Sequence, residues 1–158
     1  MELWDAYDKD LNIVNDISLV RGKPIPEGLF HLVCDILVKH IDGTYLLMQR
    51  DTKKSYGGMW EATAGGSALR GETSLDCAFR ELYEETGIKA DKLEEIGRDY
   101  NSNTIYVEFL CVTDCEKDSI KLQPGETMAY KWVNRSELMS LNAETLITER
   151  IPKHVLKL

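Results

Sequence analysis

The sequence predicts an α/β fold in which a sheet carries helices on its faces. Two observations carry that expectation. Segments with strand character lie on both sides of one sharply delimited amphipathic helix, an order that calls for a layered sheet and helix packing. The 158 residues are enough for one buried core and too few for two ordinary domains, and the 43% hydrophobic and 29% charged content is that of a folded chain.

Residues 3–7 form a short extended element, residues 8–12 a polar turn and residues 13–20 a second extended run, together a hairpin extension. Residues 21–28, with two prolines and two glycines, break both periodicities and read as a connector. The expected division is therefore an N-terminal extension over 1–28 and the main domain over 29–158. From Phe30 onward, Leu32, Cys34, Ile36 and Val38 alternate on one face, Asp42-Gly43 supplies a turn, and residues 45–49 return. Residues 51–72, rich in Gly, Lys and Thr, read as loop. Residues 104–112 and 127–133 are further strands by their β-branched and aromatic content, and residues 136–141 and 143–150 are short helices, the second stopped by Pro152.

The most regular helix spans residues 74–85. Thr73 is its expected N-cap, with Asp76 completing a variant capping box, and Gly87 is placed to close the C-terminus. With Arg80 at zero and about 100° per residue, Glu84 falls at about 40°, Glu81 at about 100° and Glu85 at about 140°. Leu75, Ala78, Phe79, Leu82 and Thr86 occupy the adjoining arc, which is the core stripe. Like charges at these spacings cost a helix about 0.2–0.5 kcal/mol each, and acidic groups in the last turn also oppose the macrodipole. A solvated acidic face is one reading of the triplet. A bound divalent cation is the other, since Mg²⁺ and Mn²⁺ prefer hard carboxylate oxygens.

The surrounding residues favour the second reading. Gly66, Glu72, Arg80-Glu81-Leu82, Glu84-Glu85, Gly87 and Ile88 stand at the spacing of the Nudix (MutT-like) box, which residues 66–88 resemble without a departure. The flanking strands and the stretch from Tyr56 to Glu61 are also similar to that family. The resemblance implies a Nudix α/β/α sandwich with a mixed sheet. It further implies Mg²⁺ (or Mn²⁺) held by Glu81, Glu84 and Glu85 with a backbone carbonyl at Gly66 or Gly65, and Glu72 and Arg80 bracing the loop. The activity implied is attack of water on one phosphorus of a small-molecule diphosphate substrate. Its proton acceptor varies within the family; here Glu84 on the helix and Glu126, just before residues 127–133, are the catalytic candidates.

Arg50, Lys53, Lys54 and Arg70 are the cations near the motif that could meet phosphates. Tyr56, Trp60, Tyr130 and Trp132 could stack on a base, although strand aromatics more often pack the core. Tyr106 sits where a dinucleoside-polyphosphate branch of the family carries a tyrosine. The N-terminal residues and the Gly28-Leu29-Phe30-His31 start of the first core strand resemble a subgroup near the isopentenyl-diphosphate isomerases, which makes an isomerase the main rival. Only His31 matches that enzyme's metal-ligand pattern. Thr63-Ala64-Gly65, Ser67-Ala68 and Asn101-Ser102-Asn103 stand where its cysteine, histidine and acidic pair would be. A non-catalytic sensor of nucleotide or sugar diphosphates is the third reading, disfavoured by the full set of box carboxylates.

Nineteen Lys and Arg against 27 Asp and Glu give a net charge of −8, which argues against a nucleic acid polymer as partner. No segment has the roughly 18 unbroken apolar residues of a membrane span, and the first residues lack the pattern of a signal peptide, so a cytoplasmic protein is expected. Cys34, Cys77, Cys111 and Cys115 form no paired ligand ladder and read as reduced packing residues. Residues 1–28 are candidates for covering the substrate cleft or forming a homodimer contact.

Overall fold

The computed structural model describes residues 1–142 and residue 155. Its first two strands, β1 (Leu3–Tyr7) and β2 (Ile13–Val20), form a separate antiparallel pair. Asp8 closes the turn between them by accepting from the backbone N–H groups of Asp10 and Asn12 at 2.9 and 3.0 Å. Hydrogen bonds fasten the hairpin to the rest of the chain. Tyr7 and Phe30 exchange two backbone hydrogen bonds of 2.9 Å, Arg70 N–H donates to the Leu3 carbonyl at 2.9 Å, and Gly71 N–H donates to Asp5 Oδ2 at 2.8 Å. Beneath it, Trp4, Ala6 and Leu19 form a small core of their own with Val14, Ile25 and Leu29 packed against it.

The main sheet is mixed, as predicted. It contains β3 (His31–His40), β4 (Tyr45–Arg50), β5 (Trp60–Glu61), β6 (Thr63–Ser67), β7 (Glu94–Tyr100), β8 (Thr104–Thr113) and β9 (Thr127–Val133). The order is β5-β4-β3-β8-β7, with β6 pairing β3 and β9 pairing β4. Among the described residues, only β3 and β8 pair in parallel, from His31 opposite Thr104 to His40 opposite Thr113. Both faces are buried. Leu32, Cys34, Ile36 and Val38 meet Val107, Phe109 and Cys111 on one face, together with Cys77, Ala78 and Leu82 of α1 (Ser74–Thr86). Leu37, Tyr45, Leu47, Leu110 and Val133 cover the other face, where Leu138 of α2 (Arg135–Ser140) is buried. A sheet with a helix on each face is the α/β/α sandwich.

Three expectations change. Residues 51–72 are not all loop, because β5 and β6 lie within them. Strand β6 carries two glycines, which lower strand propensity. One is required by close approach: a Cβ on Gly65 would sit 2.2 Å from the Cys34 carbonyl oxygen. Strand β7 was not expected, since it is charged, mostly exposed and bulged between Glu95 and Gly97; its pairing with β8 holds it in place. The first tail helix begins one residue earlier than residues 136–141 imply, capped by Asn134, and the helix expected over 143–150 lies outside the described residues. All four cysteines are free, with Cys34, Cys77 and Cys111 buried, as their packing role requires. Among the described residues, no helix is long and apolar enough to cross a membrane.

Candidate active site

The site is built outward from the two ends of α1. Thr73 Oγ1 accepts from Asp76 N–H at 3.1 Å while Asp76 Oδ2 accepts from Thr73 N–H at 3.1 Å, the reciprocal box that satisfies two orphan donors. At the other end Gly87 takes φ 75° and its N–H donates to the Tyr83 carbonyl at 2.8 Å. With both ends fixed, the core stripe sets the helix phase, and Glu81, Glu84 and Glu85 turn toward a cleft of about 450 Å³.

Arg80 organises this wall. Its guanidinium grips Glu72 with two bonds, Nε to Oε1 at 2.6 Å and Nη2 to Oε2 at 2.8 Å. Nη1 donates to Glu81 Oε1 at 2.6 Å and to Glu84 Oε2 at 3.3 Å, and Nη2 also reaches the Ser67 carbonyl at 3.1 Å. Glu72 Oε2 in turn accepts from Leu69 N–H at 2.9 Å, so the loop before α1 and the helix carboxylates share one cation. The hydrogen bonds from Arg80 hold the Glu72 carboxyl below its ordinary range.

The backbone of β6 forms the floor. A Cβ on Gly66 would lie 2.5 Å from Glu81 Oε1, so the Glu81 carboxylate rests against bare backbone. Gly65 N–H donates to Glu85 Oε2 at 3.1 Å, and the Gly66 carbonyl accepts weakly from the Cys77 thiol at 3.5 Å. Burial pushes the Glu85 carboxyl well above its ordinary value, with Glu61, Glu81 and Glu126 adding to the rise. Burial also raises Glu81, helped by Glu84 and Glu72 and opposed by Arg80.

The facing wall comes from two loops. Lys54 and Glu126 form an ion pair across them, and Asp51 N–H donates to the Glu126 carbonyl at 2.9 Å. Arg50 Nη1 donates to Glu61 Oε1 at 2.9 Å and its Nε to the Ser55 carbonyl at 2.8 Å. The third wall is the open end of the hairpin, where Arg21 Nη1 donates to Glu2 Oε2 at 3.0 Å.

Of the residues singled out in the sequence, Gly66, Arg80, Glu81, Glu84, Glu85 and Glu126 line this one cleft, as do Arg50 and Lys54. Glu72 supports it through Arg80. Two of the cations expected near phosphate stand elsewhere. Arg70 opens onto a separate groove beside Asp5 and β2, and the exposed Lys53 is not among the residues lining the cleft. Glu2, Arg21 and Gln123 line the cleft without having been singled out, because none belongs to a local motif, and Glu61, which braces it through Arg50, was marked only by its place in the stretch from Tyr56 to Glu61.

The aromatics serve mainly as core. Tyr130 and Trp132 pack on one buried cluster and Trp60 on the other, while Tyr56 is exposed. Tyr106 takes a hydrogen bond from the Asn101 side chain at 3.1 Å, outside the cleft. His31 is stacked on Trp4 with ring centroids 4.5 Å apart, and its Nδ1 lies 3.1 Å from the Asn103 carbonyl, a packing role.

Among the described residues, no three His, Cys, Asp or Glu groups converge on one point as a ready-made cation cage, since Glu81 turns to Arg80 and Glu85 to Gly65. The donor set nonetheless suits a hard divalent ion. Three carboxylates share one cleft, and two of them are raised by burial and mutual repulsion, a state that a cation would reverse.

The NUDIX domain model matches residues 29–154, and the chain belongs to the Nudix family. It is 41% identical to a Nudix hydrolase of Rhodococcus erythropolis, with 82% of this chain and 83% of that protein covered. A Nudix hydrolase of Listeria monocytogenes is 29% identical over 90% of this chain and 86% of its own length. A crystal structure of a Deinococcus radiodurans protein superposes with a TM-score of 0.79 at 16% identity, covering 99% of this chain and 98% of that one. Similarity to the isopentenyl-diphosphate isomerase of Serratia proteamaculans is 32% identity confined to 57% of this chain and 50% of that enzyme. The protein is thus a hydrolase acting on pyrophosphate bonds.

Proposed function

We propose that the protein is a divalent-metal-dependent hydrolase that cleaves the diphosphate linkage of a small phosphorylated metabolite. The observation that carries this reading is the opposition, across one cleft, of Glu81, Glu84 and Glu85 on α1 to Glu126 and Lys54 on the facing loops.

Glu81, Glu84 and Glu85, with the Gly66 carbonyl, would hold Mg²⁺ or Mn²⁺. The bound ion would supply charge neutralisation for phosphate oxygens and a more acidic water. The chain does the rest. Arg80 and Glu72 fix the rotamers of the helix carboxylates, and the Gly65 N–H fixes Glu85. Lys54 and Arg50 face the phosphate groups. Glu126, on the wall opposite the helix, takes the proton of the attacking water, with Glu84 as the second candidate. A new bond forms between the water oxygen and phosphorus, the bond from phosphorus to the bridging oxygen breaks, and that oxygen leaves with the other phosphorylated half. Asn101 also bears on the isomerase alternative, since its side-chain oxygen accepts from the N–H groups of Asn103 and Thr104 and shapes a turn where an acidic pair would be needed.

The test is release of phosphate or nucleotide from a panel of diphosphate compounds, including isopentenyl diphosphate, with Mg²⁺ or Mn²⁺ and with chelator. Metal-dependent cleavage of one member is expected and would define the substrate class. Ligands that are isomerised or bound without cleavage would overturn the reading.

A further inference from the structure

Among the described residues, four cations line the cleft, and they are unequally engaged. Arg80 is shared among three carboxylates and a carbonyl. Arg50 and Lys54 have side chains 22% and 27% exposed and are held by Glu61 and Glu126. Arg21 differs: its side chain is 63% exposed, and among the described residues its guanidinium makes a single hydrogen bond, to Glu2.

The position of that pair is well determined. Arg21 N–H donates to the Glu2 carbonyl at 3.0 Å, which closes the open end of the hairpin beside the Leu3–Val20 register. Arg70 N–H on the Leu3 carbonyl and Gly71 N–H on Asp5 then fix the hairpin to the loop that Glu72 and Arg80 brace. Glu2 is aimed by its neighbours. Trp4, buried against His31, donates its indole N–H to Glu2 Oε1 at 2.8 Å, while Arg21 takes Oε2. Burial pushes the Glu2 carboxyl up, but the hydrogen bonds from Trp4 and Arg21 outweigh it, so the group stays ionised. Glu2 Oε2 in that state presents to the guanidinium a single anionic oxygen, the kind of acceptor that a phosphoryl oxygen also offers.

We propose that Arg21 is a substrate-binding residue whose guanidinium takes a phosphoryl oxygen of the diphosphate, and that Glu2 occupies it in the free protein as an intramolecular stand-in for that oxygen. The inference rests on the diphosphate reading above and adds to it a contact from the N-terminal hairpin. Entry of substrate exchanges one anion for another at Arg21, and Glu2 stays on the Trp4 indole. Glu2 is therefore a built-in competitor that lowers affinity, and Arg21 the residue it competes for.

The experiment is calorimetric binding of methylenediphosphonate, a diphosphate whose bridge water cannot cleave, in Mg²⁺. Arg21→Gln is expected to weaken binding by about 10- to 100-fold, the scale of one hydrogen bond to a charged group. Arg21→Lys should fall between, because a point charge replaces the planar fork. Glu2→Gln should tighten binding by about threefold or more, while the double variant binds like Arg21→Gln. In turnover, Arg21→Gln should raise KM with kcat little changed, the pattern of lost ground-state binding. A purely structural ion pair would give loosened or unchanged binding in both single variants, and either result for Glu2→Gln overturns the proposal. Wild-type binding with an unaltered affinity in Arg21→Gln overturns it while leaving the diphosphate reading intact. No binding to the wild-type protein in Mg²⁺ overturns both.

Discussion

Glu85 has a folded-state pKa above its ordinary value because burial and neighbouring carboxylates disfavour its charge. The folded protein therefore keeps a proton that the unfolded chain gives up. The associated stability is complete below the ordinary glutamate range and is lost as pH rises through the raised value. In chelator at neutral pH, Glu85→Gln should unfold at a higher temperature than wild type, and the gap should close toward about pH 4. Equal midpoints at neutral pH would mean that this carboxylate is solvated. The same substitution, and Glu84→Gln, should abolish turnover with the fold intact by circular dichroism; unimpaired turnover in both would remove the proposed metal site. Glu126→Gln should lower kcat by about 10²- to 10⁴-fold, the range for a lost general base, with little change in KM. Wild-type rates would return Glu126 to an ordinary turn carboxylate that pairs with Lys54.

Helix α1 shows which elements a sequence announces. Its cap residues and terminal glycine agree with one another, and each is local, so residues 74–85 differ from Ser74–Thr86 by a single residue; of the expected apolar stripe Leu75 is exposed, and Cys77 is buried beside Ala78, Leu82 and Thr86. Thr73→Ala should cost about 1 kcal/mol in chemical denaturation, since it removes one half of the reciprocal cap. Strands β6 and β7 announce nothing, because what makes them strands is elsewhere in the chain. Strand β6 is extended because β3 accepts it, and its glycines are there for the carbonyl of Cys34 and the carboxylate of Glu81, not for propensity. Gly65→Ala should therefore destabilise the protein by about 3 kcal/mol, the upper part of the usual overpacking range, and depress activity through Glu85. A near-normal denaturation midpoint would show that β6 can move away from β3.

Across the whole molecule, the candidate site is assembled from the helix, the β6 backbone, two loops and the hairpin. The legible part was the part carried on a single stretch, residues 66–88. Lys54 and Glu126 meet across 72 positions of sequence and Glu2 and Arg21 across 19, and no local spacing rule connects such pairs. Arg70 and Lys53 stand outside the cleft for the same reason, since nearness in sequence to the motif does not fix which groove a side chain enters. Binding of Mg²⁺ to the assembled cleft should stabilise the native state by mass action, about 2.7 kcal/mol at a hundred times its Kd, read as a rise in unfolding temperature that chelator reverses. An unchanged unfolding temperature over a full Mg²⁺ titration would count against the proposed ligands. The single guanidinium of Arg80, which serves Glu72, Glu81, Glu84 and the Ser67 carbonyl together, also couples the residues of the motif to one another. Replacing it alone leaves several carboxylates facing one another with nothing between them, and replacing any one of them alone leaves the others misaligned. A one-letter change at Arg80 therefore disturbs the loop and the helix together, and the effects of changes within this group should be far from additive.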